Sequence, residues 1–447
     1  MLYALGVVVF AIGLLVSIAL HEVGHMLPAK KFGVKVPQYM VGFGPTVWSR
    51  TRGETEYGLK ALPVGGYVRL IGMVPPADLR SPRVQQAGRR WPRWSPRLRR
   101  MVEEYRAANR RDLDPADEGR EFWRLTPGKK IVVMVSGPLM NLLIFLVLMV
   151  VLLGGVGLVH DDPTTTIGTV TKCVTPANAT QAQVDACTQT NSPAAVAGFK
   201  PGDRVVAING TAVSNWDEVI SVIERSPGQR LSVVVDRAGH QLTLTPTPVQ
   251  NLKYVEDTDG NVTDQTHTVG FLGVSSTVHH YYKPVSLTAI PRQVLDSVGA
   301  GFSALGQYPA KLKSLWQTVF EGKPRDPEGA IGVVGVSRIG GDIASSNEFG
   351  FQDKVVTLLG LLASVNLLLF LFNMLPLLPL DGGHVVGAVV EAGKRGYARL
   401  KGRSSRRIFV DTAQMAPIMY AVAVVLIGVT LLTFYADIVH PVKLVGG

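Results

Sequence analysis

The sequence predicts a polytopic α-helical membrane protein that carries a β-rich α+β domain outside the membrane. Three observations favour this fold class: four long apolar segments, a charge balance that changes sign along the chain, and a central stretch of short β-rich runs. Hydrophobic residues make up 47% of the 447 residues, and the mean hydropathy is positive. A composition this apolar favours a membrane protein over a soluble one.

Each apolar segment is long enough to cross a membrane as a helix, which takes about 20 residues. We predict four transmembrane helices at 1–27, 131–159, 355–381 and 415–436. The first segment lacks a basic N-terminal region and an Ala-x-Ala-type end. We therefore expect it to stay in the membrane and not to be cleaved as a signal peptide.

Charge is distributed unevenly between these segments. Residues 28–130 contain 22 Lys or Arg against 10 Asp or Glu, whereas residues 160–354 contain 15 against 19. The positive-inside rule places 28–130 and 382–414 in the cytoplasm, and the central region and both termini outside. Because the basic excess follows the predicted spans, we expect a lipid bilayer as partner and no nucleic acid.

The first apolar segment ends in the motif His21-Glu22-Val23-Gly24-His25, and residues 2–20 contain no charged side chain. On a helix this spacing places both imidazoles on one face, where they can bind one zinc ion. The intervening glutamate can act as a general base on a water molecule. Because ionisable groups at membrane depth are costly, they are functional candidates. The motif therefore predicts hydrolytic chemistry inside the bilayer.

A catalytic zinc usually has three protein ligands, and Asp381 is the other acidic residue in a predicted span. Two prolines precede it and two glycines follow it, which predicts a broken helix and a close approach to a neighbour. Asp381 could instead cap the next helix. We expect His384 to support the site or lie on the surface. His21 precedes Lys30 by nine residues, about 14 Å of helix. We expect His21 and Asp381 both to lie toward the cytoplasmic half of the membrane.

Between the spans the sequence predicts three further regions. Runs at 47–50 and 55–60, continued by 65–70, predict a membrane-associated β-hairpin, followed by an irregular basic insert at 75–100. Residues 160–280 predict a β-rich domain, and 281–354 a membrane-adjacent region with helical spacing at 285–320. The Gly-rich segment 329–341 predicts a tight connection.

Within the β-rich region, the run from Ser192 to Gly210 resembles a PDZ domain: an Ala-rich turn, a Gly-Asp pair, an apolar strand and an Asn-Gly turn. Such domains accept an extended peptide as an added strand; alternatively, this copy only plugs or spaces the enzyme. Cys173 and Cys187 both fall in this external region. A disulfide between them and two independent reduced thiols both remain open.

Taken together, the motifs resemble the bacterial, PDZ-containing site-2 proteases, which are intramembrane zinc metalloproteases. The resemblance covers nearly the whole chain. Beyond His-Glu-x-x-His, it rests on Gly42-Phe-Gly44-Pro, Pro63-Val-Gly-Gly-Tyr, Gly137-Pro-Leu-x-Asn, and Asn373-x-x-Pro with Leu-Asp381-Gly-Gly.

This resemblance implies that His21, His25 and Asp381 bind Zn²⁺ and that Glu22 is catalytic. It implies substrate handling by the hairpin, here assigned to Gly42 and Gly44, and by Asn373. A second family asparagine would fall at Leu368, and this chain has Asn366 two residues earlier. The implied substrates are single-span membrane proteins, such as anti-sigma factors already cleaved outside the membrane, and signal-peptide remnants. The implied location is the bacterial cell membrane.

Two other function classes fit part of the pattern. A catalytically inactive scaffold would present the PDZ domain without using the metal motif, and metal content would distinguish it. A metal transporter would use His and Asp as relay groups, but it predicts repeated halves with matching broken helices. We find no internal repeat in the sequence.

Overall fold

The computed structural model describes residues 2–76, 95–110, 114–174, 192–256, 262–346, 349–402 and 408–442. Its helices are α1 (Leu2–Lys31), α2 (Pro96–Arg110), α3 (Pro127–Val150), α4 (Pro193–Ala197), α5 (Trp216–Glu224), α6 (Ile290–Glu321), α7 (Val333–Ser345), α8 (Phe351–Asn373), α9 (Asp381–Leu400) and α10 (Ala416–Val439). Its strands are β1 (Gln38–Arg52), β2 (Thr55–Arg69), β3 (Leu158–Val170), β4 (Arg204–Ile208), β5 (Thr211–Ala212), β6 (Val233–Arg237), β7 (His240–Leu244), β8 (Val249–Glu256), β9 (Val262–Phe271) and β10 (Val274–Lys283).

Four helical segments are long and apolar enough to cross a membrane: Leu2–Lys31, Pro127–Val156, Phe351–Asn373 and Thr412–Val439. The prediction of four apolar helices long enough to span a membrane is therefore confirmed. The third of these segments, α8, ends earlier than predicted, at Asn373, and Asp381 is the first residue of α9. Pro376 and Pro379 lie in the intervening turn, where neither can donate the backbone hydrogen bond that would continue α8.

The chain folds as two compact units. One consists of Met1–Val156 and Val285–Gly447, and the other of Gly157–Pro284. In the first unit, α3 packs against α1, α8 and α9. Phe145 of α3 is 1% exposed and packs with Leu367 and Leu371 of α8. Helix α3 therefore contacts the helix that carries the His-Glu-x-x-His motif, and also α8 and α9, the second of which begins with Asp381.

Strands β1 and β2 form one sheet within this unit, joined by a turn at Gly53. The start of β1, residues 38–41, pairs with residues 56–59 and also with residues 66–69 of β2. The end of β2 is consequently an outer strand of the sheet in the described part of the chain. Tyr39 fixes the sheet to α1, because its hydroxyl donates a hydrogen bond to the carbonyl oxygen of Ala19 at 2.7 Å.

The second unit is built on a sheet with the strand order β10-β3-β4-β6-β7, and β5 pairs with β4. Trp216, Val219 and Ile223 of α5 pack into its core. Asp203 is fully buried and accepts two hydrogen bonds from the Arg237 guanidinium, at 2.7 and 2.8 Å. Burial alone would raise the pKa of Asp203, but these bonds and one from the Lys200 backbone outweigh it and lower the pKa below its usual value.

The segment predicted as a tight connection, 329–341, is different in the structure: Val333–Ser345 forms α7, which packs against α1. Its glycines serve close helix packing, since a Cβ at Gly341 would lie 2.7 Å from Val7. Most of the segment predicted to have helical spacing, 285–320, belongs to α6. Cys173 is disulfide-bonded, whereas Cys187 and most of the basic insert lie outside the described residues.

Candidate active site

The last turns of α1 carry the metal motif. Because His21 and His25 are four residues apart on a continuous helix, both imidazoles face the same neighbours. His25 is 5% exposed and Glu22 is 9% exposed. These side chains are thus embedded in the unit and removed from its surface.

The turn between α8 and α9 delivers the third group. A Cβ at Gly382 would lie 2.2 Å from the carbonyl oxygen of Leu375, so the chain can fold back this tightly only with glycine at that position. Asp381 is thereby placed at the first position of α9 with its carboxylate directed toward α1. One oxygen, Oδ2, lies 3.4 Å from Nε2 of His21 and 3.3 Å from Nε2 of His25.

The three atoms have the spacing of a zinc site. The two imidazole Nε2 atoms lie 3.2 Å apart, so the three separations are nearly equal. Two ligands, each about 2.0–2.1 Å from a tetrahedral zinc ion, would be separated by roughly 3.3–3.4 Å. His21, His25 and Asp381 also form the one such His/Cys/Asp/Glu group found among the described residues. Two imidazoles and a carboxylate are a donor set that suits zinc and leaves one position open.

Helix α3 orients one of the imidazoles. Nδ1 of His25 lies 2.8 Å from the carbonyl oxygen of Val133. Since a carbonyl can only accept, Nδ1 must carry the hydrogen and Nε2 keeps its lone pair for a metal. Gly137, one turn further along α3, provides the space for the ring, because a Cβ there would lie 2.1 Å from Nε2.

The end of β2 holds Glu22. The backbone N–H of Val68 donates a hydrogen bond to the Glu22 carboxylate. Gly66 allows this approach, since a Cβ at that position would lie 3.2 Å from Cγ of Glu22 and 3.2 Å from Ile18. Glu22 therefore lies beside the proposed metal ligands, with its carboxylate fixed from a second element and free of the ligand set.

A cavity of about 340 Å³ opens onto these groups. Its walls comprise the three proposed ligands, Glu22, Asn373, His384, residues 66–68, and apolar side chains. Of the predicted substrate-handling residues, Asn373 lines the cavity, whereas Gly42, Gly44 and Asn366 are not among its described walls. Asn366 is fully buried and donates to Oγ of Ser17 at 3.0 Å.

Sequence reasoning missed several parts of this site. It did not assign a role to the residue pair Gly66 and Val68, although the Gly65-Gly66 step before an apolar run was a usable signal for close backbone approach. It also missed Leu70, Met73 and Met134 in the cavity wall. No local signal distinguishes these three from ordinary core residues.

Comparison with known proteins identifies the family to which this chain belongs. The model of peptidase family M50 matches residues 9–410. Zinc metalloprotease Rip1 of Mycobacterium tuberculosis is 34% identical over 452 residues, covering 99% of this chain and 100% of the relative. Rip1 of Mycolicibacterium smegmatis is 31% identical with the same coverage. Zinc metalloprotease RasP of Geobacillus kaustophilus is 26% identical, covering 83% of this chain and 86% of the relative. The chain therefore belongs to peptidase family M50, the site-2 protease family that its motifs resemble.

Proposed function

We propose that the chain is an intramembrane zinc metalloprotease that hydrolyses peptide bonds within the transmembrane segments of single-span membrane proteins. One observation carries this proposal: two imidazoles and a carboxylate converge on a common point, and α1, which supplies both imidazoles, is apolar enough to cross a membrane. The names of the relatives, which are zinc metalloproteases, support zinc as the metal.

His21, His25 and Asp381 would hold the metal in this proposal. A bound zinc ion would supply Lewis-acid activation of a water molecule and of the scissile carbonyl. Glu22 takes the proton from the attacking water and passes it to the leaving amine. The Val68 N–H keeps the Glu22 carboxylate in place for both transfers. His384 lines the cavity beside Asp381 and is not part of the ligand set.

A helical substrate hides its amides in internal hydrogen bonds, so it must unwind before cleavage. An unwound segment can be held as an added strand on an open sheet edge. The cavity is lined by residues 66–68, so we place the substrate along the outer strand 66–69. Asn373 lines the same cavity and can bond the substrate backbone.

Exposed apolar side chains on β1 and β2 support membrane association of this sheet. Val47 is 71% exposed, Trp48 55% and Leu62 56%. Isolated exposed apolar residues are ordinary, but a cluster of large ones near a sheet turn favours contact with lipid. We propose that the sheet lies against the bilayer, that 28–130 and 382–414 are cytoplasmic, and that the unit Gly157–Pro284 is an external PDZ domain.

The substrate class rests on the family resemblance: anti-sigma factors already cleaved outside the membrane, and signal-peptide remnants, in a bacterial cell membrane. A catalytically inactive scaffold has no need for three converging ligands with a separate carboxylate beside them, and this arrangement favours the enzyme.

The proposal is tested with purified full-length protein, its Glu22→Gln and Asp381→Ala variants, and a single-span polypeptide substrate. Glu22→Gln should retain one zinc per chain and lose about 10²–10⁴-fold in turnover, because glutamine cannot accept the proton. Asp381→Ala should lose zinc. Metal content is measured by atomic absorption and cleavage by mass spectrometry. Activity of Glu22→Gln within threefold of wild type, or full zinc content in Asp381→Ala, would contradict the assignment.

A further inference from the structure

The cavity is lined by two chemically different sets of residues. The proposed zinc ligands and Glu22 are polar. Leu70, Met73 and Met134 are apolar and line the same space. Leu70 is 8% exposed and Met134 is 4% exposed. Both belong to the buried core cluster formed by the end of α1, the start of α3 and the segment after β2.

The position of this apolar wall is fixed relative to the proposed metal ligands. Met134 follows Val133, whose carbonyl oxygen accepts the hydrogen bond from His25. Leu70 and Met73 follow directly after the strand 66–69, which lines the cavity and holds Glu22. A peptide paired with that strand next to the metal would therefore place a side chain close to the apolar wall.

We propose that Leu70, Met73 and Met134 form a specificity subsite that receives one apolar side chain next to the scissile bond. The inference rests on the proposed function and names the substrate residue that this site selects. Burying an apolar side chain against this wall is favourable by the hydrophobic effect. A charged side chain would lose its hydration there with no described partner on the wall. The two methionines are unbranched and adaptable, so the subsite accepts linear and γ-branched side chains of different shape.

The experiment uses full-length protein and a single-span polypeptide substrate whose cleavage position is first mapped by mass spectrometry. The two residues that flank the scissile bond are then varied in turn among Ala, Leu, Met, Phe and Asp. For wild type, one of the two positions should prefer Leu or Met over Asp by at least about tenfold in kcat/KM. That position defines the subsite.

Two variants change the size of the subsite in opposite directions. Met134→Ala enlarges it and should raise the preference for Phe over Leu at that position by about tenfold. Met73→Phe fills it and should shift preference toward Ala by a similar factor. Met73 is only partly buried, so this variant tests the proposal even if Met134→Ala does not fold.

Met26→Ala is the matched control. Met26 is 7% exposed, belongs to the same core cluster as Met134, and follows His25 directly, but it is not among the described cavity walls. This substitution should lower stability without changing the side-chain preference. An unchanged preference in both Met134→Ala and Met73→Phe, or an equal shift in Met26→Ala, would overturn the subsite. If wild type holds zinc but cleaves no substrate, the proposed function itself fails.

Discussion

Gly137 faces the imidazole of His25 from α3, and its missing side chain is a requirement of the site. A Cβ at this position would lie 2.1 Å from Nε2 of His25, whereas a Cβ at Gly128 on the same helix would meet nothing within 4 Å. Substitution by alanine is thus the same chemical change at both glycines, but the added Cβ meets a neighbour only at Gly137.

We predict that Gly137→Ala displaces the His25 ring and weakens zinc binding at least tenfold, since ligand atoms must stay within a few tenths of an ångström of their positions. Gly128→Ala should leave zinc affinity unchanged. Competition with a chromophoric chelator measures both. Equal affinities for the two variants would show that the ring does not depend on the space at Gly137.

Asp203 makes the second unit sensitive to acid. Its pKa is lowered, so its ion pair with Arg237 stabilises the fold above the usual aspartate pKa of about 3.9 and loses this contribution as pH falls through the lower folded value. We therefore expect the second unit to lose this stabilisation in a pH window below about pH 4.

Hydrogen exchange of the full-length protein, corrected for intrinsic rates, should show β4 and β6 losing protection in this window. Asp203→Asn should lower their protection at neutral pH by on the order of 2 kcal/mol, because Arg237 loses a charged partner. The variant should also remove the acid dependence. Protection of β4 and β6 that falls equally with pH in both proteins would contradict this role.

At the scale of elements, α9 is joined to α3 by a buried charge cluster. Nζ of Lys130 lies 2.8 Å from Glu391, and Arg395 lies 2.7 Å from the other oxygen of the same carboxylate. Glu391 is 1% exposed. Because α9 begins with Asp381, this cluster fixes the helix that presents the third proposed ligand.

Removing the shared anion should cost more than removing one cation. Glu391→Gln leaves Lys130 and Arg395 facing each other, for a loss of about 3–5 kcal/mol, and should weaken zinc retention. Lys130→Met leaves Glu391 paired with Arg395, so its loss should be smaller. The control Glu104→Gln alters the exposed Arg100–Glu104 pair and should change stability by less than about 1 kcal/mol. The free energies of unfolding of the three variants are measured in the same detergent. A larger loss of stability in Lys130→Met than in Glu391→Gln would refute the arrangement.

The elements that sequence could predict are those whose signal is local. His21, Glu22 and His25 fall on one helix, so their spacing is sufficient to predict a metal motif. Asp381 is predicted as the third ligand from ligand count and membrane depth. Its contact with α1 depends on the turn after Asn373 and on α3, neither of which a local pattern describes. The same reason explains why the wall formed by Leu70, Met73 and Met134 was missed: tertiary packing alone distinguishes it.

For the whole molecule, the charge distribution predicts sidedness. Single cysteines at Lys401 and Gln241, both exposed, are introduced into a cysteine-free background and treated with a membrane-impermeant maleimide on intact cells. Gln241→Cys should be labelled and Lys401→Cys should not, because the positive-inside rule retains the basic segment in the cytoplasm. Both should react after permeabilisation. Labelling of Lys401→Cys in intact cells would contradict the predicted cytoplasmic position of this segment.

The bond between His25 and the Val133 carbonyl has a consequence for genetics. Every amino acid carries a backbone carbonyl, so no substitution at residue 133 deletes this acceptor. A saturation scan would consequently report position 133 only through the size of its side chain, and the selection of the His25 tautomer would leave no trace in the data. Replacing the peptide bond after Val133 with an ester, whose carbonyl is a weaker acceptor, would expose a contribution that the genetic code cannot vary.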